Sequence, residues 1–225
     1  MSNKSFNFTD VLGYGWHVMK ANLGFFIGLG FVFLTLSCLP SIALKVIKAT
    51  NWPSEINAAM SISLNIIGYI INTILAIGLI KIALTFCNER KPKIGKLFDA
   101  FDCFWRYLGI AILYPLIIIG GSLLFIVPGI IWAVKFSLCY YFVIDKGLGP
   151  VEALKASSRA TMGVKWHLFG FGILCMMINL LGLICLIVGI FATYPMVLVA
   201  TALVYRQLLA QTPELNELRI ENAAV

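Results

Sequence analysis

Two long stretches of this chain carry almost no charge, and this feature limits its fold more than any other. Residues 107–144 contain a single charged side chain, Lys135, and residues 166–205 contain none. A helix needs about 20 mostly apolar residues to cross the hydrocarbon core of a bilayer, and each stretch is about twice that long. Charged residues make up only 12% of the chain, against about 25% in globular domains. The sequence therefore predicts an all-α, polytopic membrane protein and excludes a soluble domain.

A break near the middle divides each stretch into two spans. Pro128-Gly129 divides the first stretch, and Gly189 and Pro195 divide the second. Two apolar segments precede them, so we predict six spans in three hairpins, within one membrane domain over residues 1–209. A polar cytoplasmic tail, 210–225, follows. The predicted spans are 22–44, 59–86, 107–127, 130–144, 168–188 and 192–208.

The basic residues gather on one side of this arrangement. If both termini are cytoplasmic, the outer side receives only Lys45 and Lys48, while nearly all other lysines and arginines lie inside. This distribution follows the positive-inside rule. We therefore interpret the net charge of +7 as orientation charge, and we predict no nucleic-acid partner.

An amphipathic stretch stands before each hairpin. Apolar residues recur at helical spacing in 8–19 and 94–105, and more weakly in 150–166. The three hairpins each carry a proline at the predicted turn: Pro40, Pro128 and Pro195. One interpretation is a threefold repeat of a short interfacial helix on the cytoplasmic side followed by a hairpin. The other is that basic, aromatic flanks occur in any membrane protein with three hairpins.

The tryptophans stand near the ends of the predicted spans. Such positions are typical of the aromatic belts that anchor membrane proteins at the two interfaces. The predicted anchors are Trp16, Trp105 and Trp166 on the cytoplasmic side, and Trp52 and Trp132 on the outer side.

Four polar residues within the spans form a candidate intramembrane site: Lys135, Asn65, Asn72 and Asn179. A charge near the centre of a span costs at least about 2.5 kcal/mol, so Lys135 suggests a contact with substrate or lipid phosphate. The alternative is a structural contact, or a side chain that snorkels to the outer headgroups. The asparagines suggest interhelical hydrogen bonds or, alternatively, a polar translocation path.

The segment from Asp145 to Trp166 combines helix-start signals with basic residues. Pro150 and Glu152 suit the first turn of a helix, on which Lys155 and Arg159 share a face. These two residues are candidate contacts for anionic lipid, together with Lys165, Lys93 and Lys96. The alternative is ordinary orientation charge.

Catalytic and metal-binding patterns are absent from the sequence. The chain contains no fingerprint of a metalloprotease, a serine hydrolase or a nucleotide-binding loop. The six cysteines have no paired spacing, so we expect free thiols. We predict no catalytic residues, no metal and no cofactor.

Residues 128–170 resemble the YciC-like family of bacterial inner-membrane proteins, and the related membrane domain found before some glycerophosphoryl diester phosphodiesterases. The residues that carry the likeness are Pro128-Gly129-Ile130-Ile131, Lys135, Asp145, Gly149-Pro150, Glu152 to Ser157 and Gly163 to Trp166. The resemblance implies six helices in the bacterial inner membrane and a role in membrane organisation or envelope homeostasis. The family often has arginine in place of Lys135. These 225 residues do not contain the phosphodiesterase barrel, so we expect no hydrolase activity to carry over from the resemblance.

Three functional hypotheses follow. The first is a non-enzymatic membrane protein that engages the phospholipid bilayer, anionic lipids in particular, with a second copy of the chain or another membrane protein as a further partner. The second is a transporter of small solutes or lipids, which requires a polar cavity between the second, fourth and fifth spans. The third is an enzyme acting on lipid phosphates, for which His17 and His167 are the best candidates.

Overall fold

The computed structural model describes residues 5–49, 53–88, 101–184 and 188–215, and this part of the chain is helical with no strand. Six of its segments are long and apolar enough to cross a membrane, judged by length and composition. The predicted all-α class and the number of such segments are confirmed. The helices are α1 Phe8–Ala21, α2 Leu23–Ala49, α3 Ser54–Cys87, α4 Phe101–Leu124, α5 Ile126–Lys135, α6 Cys139–Lys146, α7 Pro150–Ala160, α8 Lys165–Ile184 and α9 Val188–Ala210.

Helix α1 packs along α9 through its apolar stripe. Val11 and Met19 are buried in this contact region. A Cβ atom at Gly15 would lie 2.5 Å from the carbonyl oxygen of Met196, so the two backbones approach too closely for any larger residue. The amphipathic pattern of residues 8–19 therefore serves a contact between helices, and its location at the membrane surface stays a prediction.

Replacing Gly15 with valine should loosen the contact between α1 and α9. Forcing a branched side chain into a close-packed contact costs about 1–3 kcal/mol, so the melting temperature of the detergent-purified protein should fall. Gly13 provides the matched control, because a Cβ atom there meets nothing within 4 Å. Gly13→Ala should keep or raise the stability. Equal melting temperatures for Gly15→Val and the unmodified protein would contradict this packing.

The three prolines predicted at hairpin turns lie inside helices instead. Pro40 is within α2, Pro195 is within α9 and Pro128 is in the first turn of α5. A first-turn proline sacrifices no hydrogen bond, because the first amides of a helix have no partner within it. Pro40 packs against Gly68 of α3, where a Cβ atom would lie 3.1 Å from its ring. The turn prediction was wrong because neighbouring helices support prolines within membrane helices.

The division between the third and fourth apolar segments lies at Phe125, not at Pro128-Gly129. Phe125 has an extended backbone between α4 and α5. Gly129 serves a different purpose, since a Cβ atom there would collide with Ser122 on α4. On the facing side, a Cβ atom at Gly121 would lie 2.7 Å from the ring of Trp132. The glycines thus bring α4 and α5 together, whereas the sequence suggested that Gly129 belonged to the turn.

The fourth apolar segment is not one continuous helix. Its first half is α5 and its second half is α6, and residues 136–138 form a turn between them. The predicted span over 130–144 falls within this segment, but the turn inside it was not predicted. Helix α7 follows and packs against both α6 and α4. Several of the most deeply buried large side chains lie on α6 and α9 near this region, among them Phe142, Tyr205 and Leu208.

Candidate functional site

Backbone groups of the turn between α5 and α6 form hydrogen bonds with hydroxyl groups near the end of α7. The backbone carbonyl of Lys135 accepts a hydrogen bond from Ser157 Oγ at 3.0 Å. Ser157 Oγ in turn accepts one from the amide of Leu138 at 3.3 Å. Thr161 Oγ1 lies 3.1 Å from the same Lys135 carbonyl and 2.9 Å from the carbonyl of Ser157, so its single proton is shared. Both hydroxyl side chains are fully buried, which supplies the partners that a broken helix needs away from water.

The sequence of α7 explains how it reaches this position. Pro150 begins the helix, and the carboxylate of Glu152 accepts a hydrogen bond from the Gly149 amide at 3.2 Å. A Cβ atom at Gly109 of α4 would lie 2.6 Å from the Pro150 ring, so this glycine admits the start of α7. Small side chains make up most of the buried face of α7: Ala153, Ala156, Ser157 and Ala160. The helix therefore lies close against the chain on one face.

An ion pair joins the end of α6 to α9. Arg206 Nη2 lies 2.9 Å from Asp145 Oδ1, and Arg206 Nη1 lies 3.2 Å from Asp145 Oδ2, which is a bidentate arrangement. The hydroxyl of Tyr205 donates a third hydrogen bond to Asp145 Oδ2 at 2.9 Å. Just beyond, Gly147 ends α6 with φ of +67°, a left-handed conformation that favours glycine.

The sequence predicted neither the ion pair between α6 and α9 nor the hydrogen bonds from α7 to the turn after Lys135. Asp145 and Arg206 are opposite charges, and each directly follows one of the two nearly uncharged stretches. That opposition was the available signal for the ion pair. Ser157 and Thr161 stand close to Lys155 and Arg159 in the sequence, and nothing there indicates that their hydroxyls reach a turn in the preceding span.

The four predicted intramembrane polar residues have separate surroundings. Lys135 ends α5 half-buried, with its Nζ 5.1 Å from the centre of the Phe136 ring. Asn72 accepts an interhelical hydrogen bond from Ser37 of α2 at 2.8 Å. The Asn65 side chain bonds to the carbonyl of Ser61 within its own helix, and Asn179 Oδ1 is buried with no hydrogen-bond partner. No described hydrogen bond joins any two of these four residues.

The predicted lipid contacts of α7 lie on its exposed side. Lys155 and Arg159 are exposed, whereas Lys165, at the start of α8, is half-buried. Val151 and Met162 are also exposed, at 55% and 62%. Lys93 and Lys96 lie outside the described residues.

The predicted tryptophan anchors differ in their exposure. Trp105 and Trp166 are highly exposed, at 77% and 80%. Trp16 is 43% exposed and lies beneath Lys20 Nζ, which is 4.8 Å from the ring centre. Trp132 is half-buried and packs against Gly121, so it contributes to the contact between α4 and α5. Trp52 lies outside the described residues. Anchoring at the membrane interface stays a prediction for all five.

The described part of the chain contains at least three cavities. The first, of about 370 Å³, lies between α2, α3 and α9 and is lined by apolar groups such as Phe33 and Phe191. The second, of about 780 Å³, is polar and lies beside His167, Gln207 and Gln211. The third, of about 420 Å³, lies between α5 and α8. None of the three is lined by the four intramembrane polar residues, so none is the polar path that the transporter hypothesis requires.

Within the described ranges, no three histidine, cysteine or acidic side chains come together in a group able to hold a metal. Cys38, Cys87, Cys103, Cys139 and Cys175 are free thiols there. His167 packs its ring against two phenylalanines, 5.9 Å from the centre of the Phe6 ring and 5.2 Å from that of Phe8. The two rings thus hold the imidazole at the edge of the second cavity.

Six apolar helical segments, one of them interrupted, define the chain as a multi-pass membrane protein in its architecture. Comparison with protein-family models, curated proteins and solved structures finds no match to the chain. The resemblance to the YciC-like family therefore stays a prediction that rests on residues 128–170.

Proposed function

We propose that this chain is a non-enzymatic protein of the bacterial inner membrane, with both termini in the cytoplasm. It binds anionic phospholipid headgroups through the exposed side of α7, and it acts in membrane organisation or envelope homeostasis. The observation that carries the proposal is one exposed surface, which we call the α7 face. Its residues are Val151, Lys155 and Arg159 of α7, together with Met162 in the turn that follows and Trp166 at the start of α8.

The α7 face has the composition of a membrane-surface helix. Residues 151, 155 and 159 follow at helical spacing and so form one stripe on α7, with two basic side chains and one apolar one. Met162 adds a second exposed apolar side chain in the turn that follows the helix. Exposed apolar groups beside basic ones suit the boundary between acyl chains and anionic headgroups. Orientation charge alone would explain the basic residues but not the exposed Met162 and Trp166.

The buried side of α7 supports the same proposal. Because Ser157 and Thr161 bond to the turn after Lys135, the helix cannot rotate without leaving that carbonyl unpaired. The α7 face is therefore held in one orientation relative to the membrane-crossing helices. A fixed basic surface binds headgroups without the entropy cost of ordering a loop.

The double substitution Lys155→Gln/Arg159→Gln should weaken binding of anionic lipid about 30-fold, because each basic residue contributes about 1 kcal/mol near such a surface. The binding is measured as the amount of phosphatidylglycerol that the purified protein retains, quantified by mass spectrometry relative to phosphatidylcholine. The control is Lys45→Gln, which changes an exposed lysine near the C-terminal end of α2. This variant should retain as much phosphatidylglycerol as the unmodified protein.

Two outcomes would contradict the proposal. One is unchanged retention of phosphatidylglycerol in the double variant. The other is reaction of a cysteine placed at position 155 with an impermeant reagent applied outside intact cells, since this would put the α7 face on the wrong side of the membrane.

A further inference from the structure

We propose that the third cavity, between α5 and α8, holds a single phospholipid, with its phosphate at Lys165 and one acyl chain along α5. This inference rests on the proposed function, and it adds a defined site to a surface that otherwise binds headgroups in general. We call the cavity the α5–α8 groove. Its lining residues are Val127, Ile130, Ile131, Val134, Lys165, Trp166 and Phe169.

The floor of the groove is one apolar face of a short helix. Its four α5 residues, at 127, 130, 131 and 134, follow the spacing i, i+3, i+4, i+7 and therefore share a face. The opposite side of α5 packs on α4 through Gly129 and Trp132. The groove face is left partly exposed, with Val127 64% and Ile131 39% exposed. Its volume of about 420 Å³ lies within the range of ordinary ligand sites, about 300–1,000 Å³.

One end of the groove carries Lys165, the single charged side chain among its lining residues. Lys165 is half-buried, and no described carboxylate pairs with it. It is also the first residue of α8, so its ammonium adds to the partial positive charge of a helix N-terminus. Trp166 stands beside it, 80% exposed, as expected for an indole at the level of headgroups.

The charged end and the apolar face of the groove follow each other in the same order as the phosphate and an acyl chain in a phospholipid. Thr161 precedes Lys165 by four residues. Its hydroxyl contacts the backbone carbonyl of Lys135 at the end of α5. This contact brings the chain that leads into α8 to the Val134 end of α5, so we place the phosphate at that end. The apolar face leads away from it toward Val127, over about 10 Å at 1.5 Å per residue. A soluble anion would leave this apolar face uncovered, and an uncharged lipid would leave Lys165 without a partner.

Photolabelling tests the site directly. A phosphatidylglycerol with a diazirine on one acyl chain is added in trace amounts to the intact protein in nanodiscs, and the labelled residues are identified by mass spectrometry after irradiation. Label should concentrate on residues 127–134 and on Phe169. Lys165→Gln should lower this label about fivefold, the equivalent of about 1 kcal/mol for one basic residue. Ile131→Trp fills the groove and should abolish the label there.

Matched variants separate this inference from the proposed function. Ile119→Trp places the same ring on an exposed site of α4 and should leave the label on α5 unchanged. Lys155→Gln/Arg159→Gln should also leave it unchanged, so the α7 face and the groove can fail independently. Label spread evenly over all lipid-exposed helices, label concentrated at Phe33 and Phe191 in the first cavity, or label on α5 that persists in Ile131→Trp would each overturn the inference.

Discussion

Replacing Arg206 with methionine is expected to lower the free energy of unfolding by about 2–4 kcal/mol. The substitution keeps most of the apolar stem but leaves the Asp145 carboxylate, only 13% exposed, with Tyr205 as its remaining partner. Breaking a buried ion pair by removing one partner costs about 3–5 kcal/mol, and we reduce that figure because Arg206 is 25% exposed. Thermal unfolding in detergent, followed by circular dichroism, measures the loss.

The double variant Asp145→Asn/Arg206→Met provides the decisive comparison. With both charges gone, no ion is left without its counter-charge, so most of the lost stability should return. Tyr205→Phe removes only one hydrogen bond and should cost about 1–2 kcal/mol. A double variant no more stable than Arg206→Met alone would mean that the two residues act independently, which the bidentate contact contradicts.

Removing the hydroxyls that satisfy the turn after Lys135 is expected to have a comparable effect. Ser157→Ala deletes the donor to the Lys135 carbonyl and the acceptor for the Leu138 amide, and unpaired buried groups cost about 1–3 kcal/mol each. Adding Thr161→Val removes the other hydroxyl in reach of that carbonyl. We expect the double variant to lose about 2–5 kcal/mol, measured by the same thermal unfolding.

Ser158→Ala is the matched control, because this neighbouring hydroxyl makes no described hydrogen bond to the turn. Its stability should stay within about 0.5 kcal/mol of the unmodified protein. If Ser157→Ala were as stable as Ser158→Ala, the hydroxyl of Ser157 would not be needed to support the turn. The turn would then depend on other groups, and the fixed orientation of the α7 face would lose its explanation.

Some parts of the candidate site could be predicted from the sequence, and others could not. Lys155 and Arg159 were placed on one helical face from their spacing alone, and the structure leaves both exposed on α7. Lys135 was singled out as a charge within a span. Its backbone carbonyl, not only its side chain, proved to be the structurally important group. Hydropathy describes side chains, so it gives no sign that a carbonyl has lost its helical partner.

The helical class and the six apolar segments follow from the sequence by itself. Both depend on local properties, because about 20 consecutive apolar residues must cross the hydrocarbon and must satisfy their backbone within one helix. Only the tertiary structure decided where those helices break and which charges meet. Asp145 and Arg206 are 61 residues apart, and Ser157 is 22 residues from Lys135. Contacts at such separations depend on how the helices pack together, and local apolar patterns carry no record of that packing.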